Sequence, residues 1–427
     1  MKIFVLFIAA ALCMPSMYPV TSSSEPETFP QKLDSLSMDE AVKLAIQFNP
    51  ELKAARREVD AAAARTIQAK LFPNPSLFLE TEDGEAKSYG FGEDFKSVIG
   101  ISQSFPLGGK IRNRKDVAEK EKEAAMLLYE QKVRNVIAET KKAFVDVLAA
   151  QQLYSTASDN FAIARNLYEA ARSRVEASAA PETEQTKAEI ELSQAAVKLN
   201  TAKADLQQSE KQLATLLGNL DLLAGKYNGS LHDDFQKMDL RVLEEKVLSS
   251  YPELLLSKAV RTAAEAQGKL ARAERYPDLE IGVGAGRERG IVENSHTLEW
   301  AVSIPLPIFD RNQGRILETK MLALKAEEEY RSVLNNVRLN VEKTFLSFEN
   351  ILDQARAFKE KVLPQAEKSL ALMMEGYQVG KFTHIDLLDA QRTLTDMREN
   401  YINLLRELNG MAIEIERFAG QPVHEIR

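Results

Sequence analysis

The chain reads as a mostly α-helical protein with a small β part, written as two copies of one unit. Three features lead there. First, FNPELKAARREVDAAAA at Phe48 to Ala64 returns as YPELLLSKAVRTAAEA at Tyr251 to Ala266, LFPNPSLFLE at 71–80 as RYPDLEIGVG at 275–284, and SFPLGGK at 104–110 as IPLPIFDRNQGR at 304–315. The offset stays at about 200 residues throughout, which marks a duplicated domain-sized half and not a short solenoid unit. Second, helical stretches of about 65 residues imply rods on the order of 100 Å, at 1.5 Å of rise per residue. Third, each half carries one pair of alternating apolar segments, far too few strands to close a barrel.

The totals narrow the class. With 427 residues, 28% charged and 44% hydrophobic, the composition is that of a chain folded throughout. A net charge of -8 with no basic concentration excludes nucleic acid as a partner. The N-terminus, MKIFVLFIAAALCMPSM, has one lysine and then an apolar run ending near Cys13, too short for a membrane helix and suited to a secretory signal. The expected divisions are a signal peptide at 1–22 and a linker at 23–36. Cys13 is the sole cysteine. It is either discarded with the signal or acylated as in a lipoprotein, against which the bulky Leu12 argues. No later stretch has the 18 apolar residues of a membrane helix, so a membrane crossing here requires strands.

In chain order, the first repeat is expected over 37–225 and the second over 240–420, with a linker at 226–239 and a tail at 421–427. Each opens with a helix of about 35 residues, 37–71 and then 240–274, ended by Pro73 or Pro277, where proline and its preceding residue resist helical geometry. Two strands follow, about 75–83 and 96–105, then about 278–286 and 296–306. The long helices are expected over 110–176 and 312–378, and the returning helices over 182–217 and 384–417. Leu334, Val337, Val341, Phe345, Phe348, Leu352 and Ala355 step by threes and fours, as do Leu387, Ala390, Leu394, Met397, Tyr401, Leu404 and Leu408. That spacing predicts coiled-coil packing. Pro364 falls inside the second long helix, where Phe161 holds the matching place in the first, and predicts a kink or short break there.

The strands carry the membrane question. Leu279, Ile281, Val283 and Ala285 alternate with Glu280, Gly282 and Gly284; Leu298, Trp300, Val302 and Ile304 alternate with Glu299, Ala301 and Ser303. Leu77 with Leu79 and Ile99 with Ile101 repeat the pattern in the first half. Nine to eleven residues suffice for a tilted strand to cross a bilayer. Unpaired strand edges in lipid cost several kcal/mol per amide, so several copies must share one barrel. The small polar face suits a wide, wet lumen, and DGEAKSYGFGEDF and GRERGIVENSH suit external loops.

Catalytic signatures are missing from the text. GVGAGRERG fits no phosphate-binding pattern, since a strand follows where a helix N-terminus is needed. There is no nucleophile elbow, phosphate-binding lysine loop or zincin motif, and His232, His296, His384 and His424 are scattered. The expectation is no enzyme, no cofactor and no metal site.

At this point the chain resembles a family. Asn49 to Leu52 (NPEL), Tyr251 to Leu254 (YPEL), Phe72 to Pro75 (FPNP) and Phe105 to Lys110 (FPLGGK), on the duplicated plan, resemble the TolC-type outer-membrane efflux proteins, most of all their CzcC-type heavy-metal branch. The resemblance implies a homotrimer with one shared twelve-stranded barrel in outer-membrane lipid, four strands per chain, continued by an α-helical tunnel across the periplasm. It further implies a periplasmic adaptor (membrane fusion) protein and an inner-membrane pump of the resistance-nodulation-division class as partners. The expected function is passive export of heavy-metal cations from a Gram-negative periplasm. Export of drugs or other small solutes by the same fold is the alternative, and a periplasmic coiled-coil adaptor is the alternative of another class.

Residues 376–394, GYQVGKFTHIDLLDAQRTL, match the family's tapered periplasmic mouth. The resemblance assigns a gate to Tyr377, Gly380, Lys381, Asp386 and Asp389, with Asp386 and Asp389 forming acidic rings that favour cations. Val379 and Gly380, with Val175 and Ala177 of the first-half tip, are the expected adaptor-docking residues. The plainer reading of the two aspartates is that carboxylates suit the first turn of a helix. The first-half tip, VEASAAPETEQ, departs from the pattern: Ala177 is taken to stand where Gly380 does, Pro181 starts the next helix, and its acids are Glu182 and Glu184.

Overall fold

The computed structural model describes residues 32–83, 95–220, 223–289, 294–379 and 381–426. The expected signal peptide, parts of both external loops and Gly380 lie outside these residues. Two short strands, β1 (Lys32–Leu33) and β2 (Leu36–Ser37), precede helices α1 (Met38–Phe48) and α2 (Pro50–Ala69). Strands β3 (Ser76–Asp83) and β4 (Phe95–Phe105) lead into α3 (Lys110–Glu176) and its return, α4 (Glu182–Leu216). After β5 (Leu223–Ala224) and β6 (Tyr227–Asn228), the second half repeats the order: α5 (Leu240–Ser250), α6 (Pro252–Ala273), β7 (Leu279–Arg289) and β8 (Asn294–Ser303). It closes with α7 (Gln313–Ala357), a π-turn (Phe358–Val362), α8 (Leu363–Gln378) and α9 (His384–Ala419).

The opening helix of each half is two helices, not one. Pro50 and Pro252 stand at the first helical position, so the chain bends at Asn49 and Tyr251, both outside the helical region of backbone angles. Asn49 secures its corner by accepting from Glu51 N–H (2.8 Å) and Leu52 N–H (3.3 Å) while donating to the Leu216 carbonyl (2.9 Å). Tyr251 secures the same corner differently, its ring packed on Phe418 and its hydroxyl accepting from Arg417 (2.8 Å). The expected single helix failed because a proline at N1 starts a helix as readily as an internal one ends it.

Packing follows the apolar stripes. α3 lies against α2, α4, α6 and α9, and α9 also lies against α7 and α8. The main core gathers Phe144, Val147, Leu213, Leu243, Phe348, Leu352, Leu408 and Ile415 from both halves. β1 pairs in parallel with β5 and β2 with β6, so the chain's beginning is sewn onto the segment between the repeats. Ion pairs Lys141–Glu416 (2.7 Å) and Lys142–Glu414 join α3 to α9.

The four long strands form one antiparallel sheet, β3-β4-β7-β8, with the halves joined at β4–β7 and, among the described residues, the outer edges of β3 and β8 unpaired. Its two faces differ as the alternation requires. Leu77, Leu79, Leu298, Trp300 and Val302 are 62–73% exposed on one face. On the other, Gly282, Gly284 and Gly286 of β7 form a lane over which neighbouring side chains meet. Lys96 reaches Glu299 across it, Val98 fills it at 1% exposure, and the end of the Phe78 ring lies over Gly100. A Cβ on Gly100 would sit 2.3 Å from Phe78 Cζ and 2.6 Å from the Val283 carbonyl. Gly108 and Gly109, with φ of 70° and 74°, turn the chain from β4 into α3, a corner that Asn312 makes in the second half with φ of 58°. Lys110 to Asp278 (2.6 Å) ties the start of α3 to the passage from α6 into β7.

Candidate functional site

The two helix tips, between α3 and α4 and between α8 and α9, lie side by side. α3 ends in a Schellman turn: Ala179 N–H donates to the Arg174 carbonyl (2.8 Å) and Ser178 N–H to that of Val175 (2.9 Å). Ser178 takes the left-handed conformation, φ 57°. The second tip repeats the outer bond, Lys381 N–H to the Gly376 carbonyl (2.8 Å). By that hydrogen-bond frame the residue matching Gly380 is Ser178 and not Ala177, a shift of one from the sequence alignment. No motif fixes the register at this tip, where two alanines separate Ser178 from Pro181.

A three-residue contact ties the tips. Arg174 Nη1 donates to the Tyr377 hydroxyl at 2.5 Å and to Glu184 Oε1 at 3.0 Å, and its guanidinium lies 5.7 Å from the Tyr377 ring centre. The Tyr377 hydroxyl lies 3.5 Å from the same Glu184 oxygen. Arg174 sits in the last turn of α3, where a cation suits the helix dipole, and Glu184 in the first turn of α4, where an anion does. Sequence reasoning found Tyr377 and missed Arg174, whose only signal was its place in a last turn. A little further up, Arg392 of α9 donates to Glu191 of α4 (Nε at 2.9 Å) and Gln391 to Asn160 of α3 (3.0 Å).

The two aspartates are not equivalent. Asp386 closes a capping box: its Oδ2 accepts from Thr383 N–H (2.8 Å) and Oγ1 (2.7 Å), while Thr383 Oγ1 accepts from Asp386 N–H (3.3 Å). These two bonds from Thr383, the hydroxyl's first, hold its carboxyl below the usual range. Asp389 lies exposed one turn on, beside Arg392. Lys381 and Val379 are exposed, Val379 at 66%; Ala177 is exposed and Val175 half-buried. Phe382 folds back on Gly376, where a Cβ would meet its ring at 2.2 Å. The structure thus brings Tyr377, Val379, Lys381 and Val175 to one end of the molecule. Among the described residues no group of three or more His, Cys, Asp or Glu is placed to hold a metal ion, and no helix is long and apolar enough to cross a membrane.

The comparisons agree on the family. The family description "Outer membrane efflux protein" matches twice, at residues 41–219 and 243–421. The cobalt-zinc-cadmium resistance protein CzcC of Cupriavidus metallidurans is 32% identical over 406 residues, 94% of each chain. Among solved structures, CusC, described as forming a transmembrane channel, superposes with a TM-score of 0.74 at 16% identity, covering 96% of this chain and 97% of that one. The Campylobacter jejuni CmeC outer membrane channel gives a TM-score of 0.76 at 18% identity, with 90% and 85% covered. The four-stranded sheet with open edges and the long helices are the fold of those channels. Matched over both halves and along nearly its whole length, the chain belongs to the outer membrane efflux protein family: a channel in the outer membrane, not an enzyme, with its helical part in the periplasm.

Proposed function

We propose that this channel is the exit duct of a tripartite export system, passing heavy-metal cations taken from a periplasmic adaptor and an inner-membrane pump of the resistance-nodulation-division class. The observation that carries the substrate is the relation to CzcC at 32% identity over 94% of both chains. Deleting the gene in its own host and scoring growth tests it: sensitivity to cobalt, zinc or cadmium is expected. Sensitivity to dyes and antibiotics with unchanged metal tolerance turns the reading to its alternative, small-solute export.

The tip is the gate of this duct, and the two repeats, 37–225 and 240–420, supply one tip each. The Arg174–Tyr377–Glu184 contact holds the second-half tip against the first, and an adaptor seated on Val379, Gly380, Val175 and Ala177 pulls them apart. Three chains set three copies of Asp389 around the mouth, a ring of charge that favours cations, whereas the Asp386 carboxylate is engaged in capping its own helix. In planar bilayers, Asp389→Ala lowers cation preference. Tyr377→Phe, which deletes the hydroxyl that Arg174 grips, raises conductance. Thr383→Ala separates the two roles of Asp386: it loosens the tip without removing a charge, so conductance changes and selectivity does not. Unaltered conductance in Tyr377→Phe would remove the gate from this tip.

A further inference from the structure

A second set of contacts, far from the tips, lies in the segment between the repeats. Asn409 of α9 grips the His232 backbone on both sides, accepting from its N–H (3.2 Å) and donating to its carbonyl (2.9 Å). Arg356 of α7 donates to the Phe235 carbonyl (2.8 Å), and the Phe235 ring stands edge-on to Phe348 at 5.6 Å. Asp233 touches both sides: Oδ2 accepts from the Tyr401 hydroxyl of α9 (2.9 Å) and pairs with Lys359 of the π-turn. A short stretch of irregular chain therefore braces the root of the α8–α9 pair, where the helix changes its winding.

The position is mechanical. Above the brace α7 buries Phe345, Phe348, Leu352 and Ala355. The π-turn buries none of its residues, and below it Leu372 and Met374 of α8 are 53% exposed within the protomer. Pro364 has no N–H to give back to the ladder. α3, the first-half counterpart, runs through Phe161 as one continuous helix that buries Ala157, Ala164 and Ala171. α8 still buries Ala366, but only the second half interrupts its α-helical ladder at this level.

We propose that Asp233 is a positioning residue for the tip: by tying Lys359 to Tyr401 it fixes the angle at which the α8–α9 pair leaves the π-turn, and so the distance of Tyr377 from Arg174. Lys359 and Tyr377 are 18 residues apart, about 27 Å along a helix, and a tilt of about 5° at the root moves the tip about 2 Å. That displacement breaks a 2.5 Å hydrogen bond. The inference rests on the tip being the gate, and its test keeps the two apart.

Full-length trimers of Asp233→Asn, Lys359→Met, the double variant and Tyr377→Phe are compared with the parent. The readouts are amide hydrogen exchange at residues 374–386, open fraction in planar bilayers and thermal resistance of the trimer. Asp233→Asn and Lys359→Met each raise tip exchange and open fraction about three- to tenfold, the change expected when a charge-assisted bond is lost, and the double variant adds little. Trimer resistance stays at the parent's value, which a merely structural role would not allow. Faster exchange without a change in open fraction keeps the brace and removes the gate. Opening in Tyr377→Phe but parental exchange in Asp233→Asn overturns the brace. Should Asp233→Asn not assemble, Lys359→Met, at the exposed end of the pair, decides by the same readouts.

Discussion

Thr383 and Asp386 each satisfy an otherwise orphaned amide of the other at the start of α9. Losing the threonine hydroxyl is expected to cost about 1 kcal/mol of local helix stability, visible as faster hydrogen exchange over the first turn of α9. Tyr227 offers a pH test. Burial, with Glu210 nearby as a lesser cause, pushes its hydroxyl up to about 12. A raised tyrosine gives stability that is intact below the unfolded value near 10 and is lost as pH climbs toward the folded value. The loss is about 2–3 kcal/mol between pH 10 and 12, and Tyr227→Phe abolishes this step in denaturant midpoints measured on either side of it. Single residues were the least legible part of the sequence. Asp386 as an acid was plain, but whether its charge faces a pore or its own helix depends on Thr383, which looks like any turn residue. Arg174 and Glu184 meet Tyr377 across a separation of about 200 residues that no local spacing reveals.

Elements were read with more success where one physical signal dominated. The long helix from Lys110 to Glu176 has no internal proline and ends at a proline-led return, and the structure gives that span. Strand positions followed from period-two alternation, and the observed strands lie within a few residues of those expected. The kink expected at Pro364 is a π-turn placed just before it, because a missing N–H is best absorbed by widening the preceding turn. The corners at Pro50 and Pro252 were missed, and the cross-strand glycine lane was noted only as small residues. That lane carries a prediction: Gly100→Ala drives a methyl against the Phe78 ring and the Val283 carbonyl, so the heat-resistant trimer weakens, and Phe78→Ala in the same chain restores it only in part, because the backbone contact remains. A trimer that tolerates Gly100→Ala unaided would show that the ring has room elsewhere.

Duplication fixes the plan of the whole molecule, and alternation plus open edges fixes its environment. Trp300, 73% exposed on the apolar face, lies where lipid takes the place of water. Trp300→Arg is expected to cost from about 1 kcal/mol if the residue sits by an interface to about 2–4 kcal/mol at mid-bilayer, and to reduce membrane-inserted trimer in fractionated cells. The substrate was not legible at this scale, since a duct holds no tight ligand shell. The unpaired edges of β3 and β8 have a genetic corollary. Each subunit completes its neighbour, so an allele crippled at either border spoils rings that also contain sound copies. Co-expressing it with the intact gene should therefore give dominant interference, deeper than a halved dose of good protein would explain.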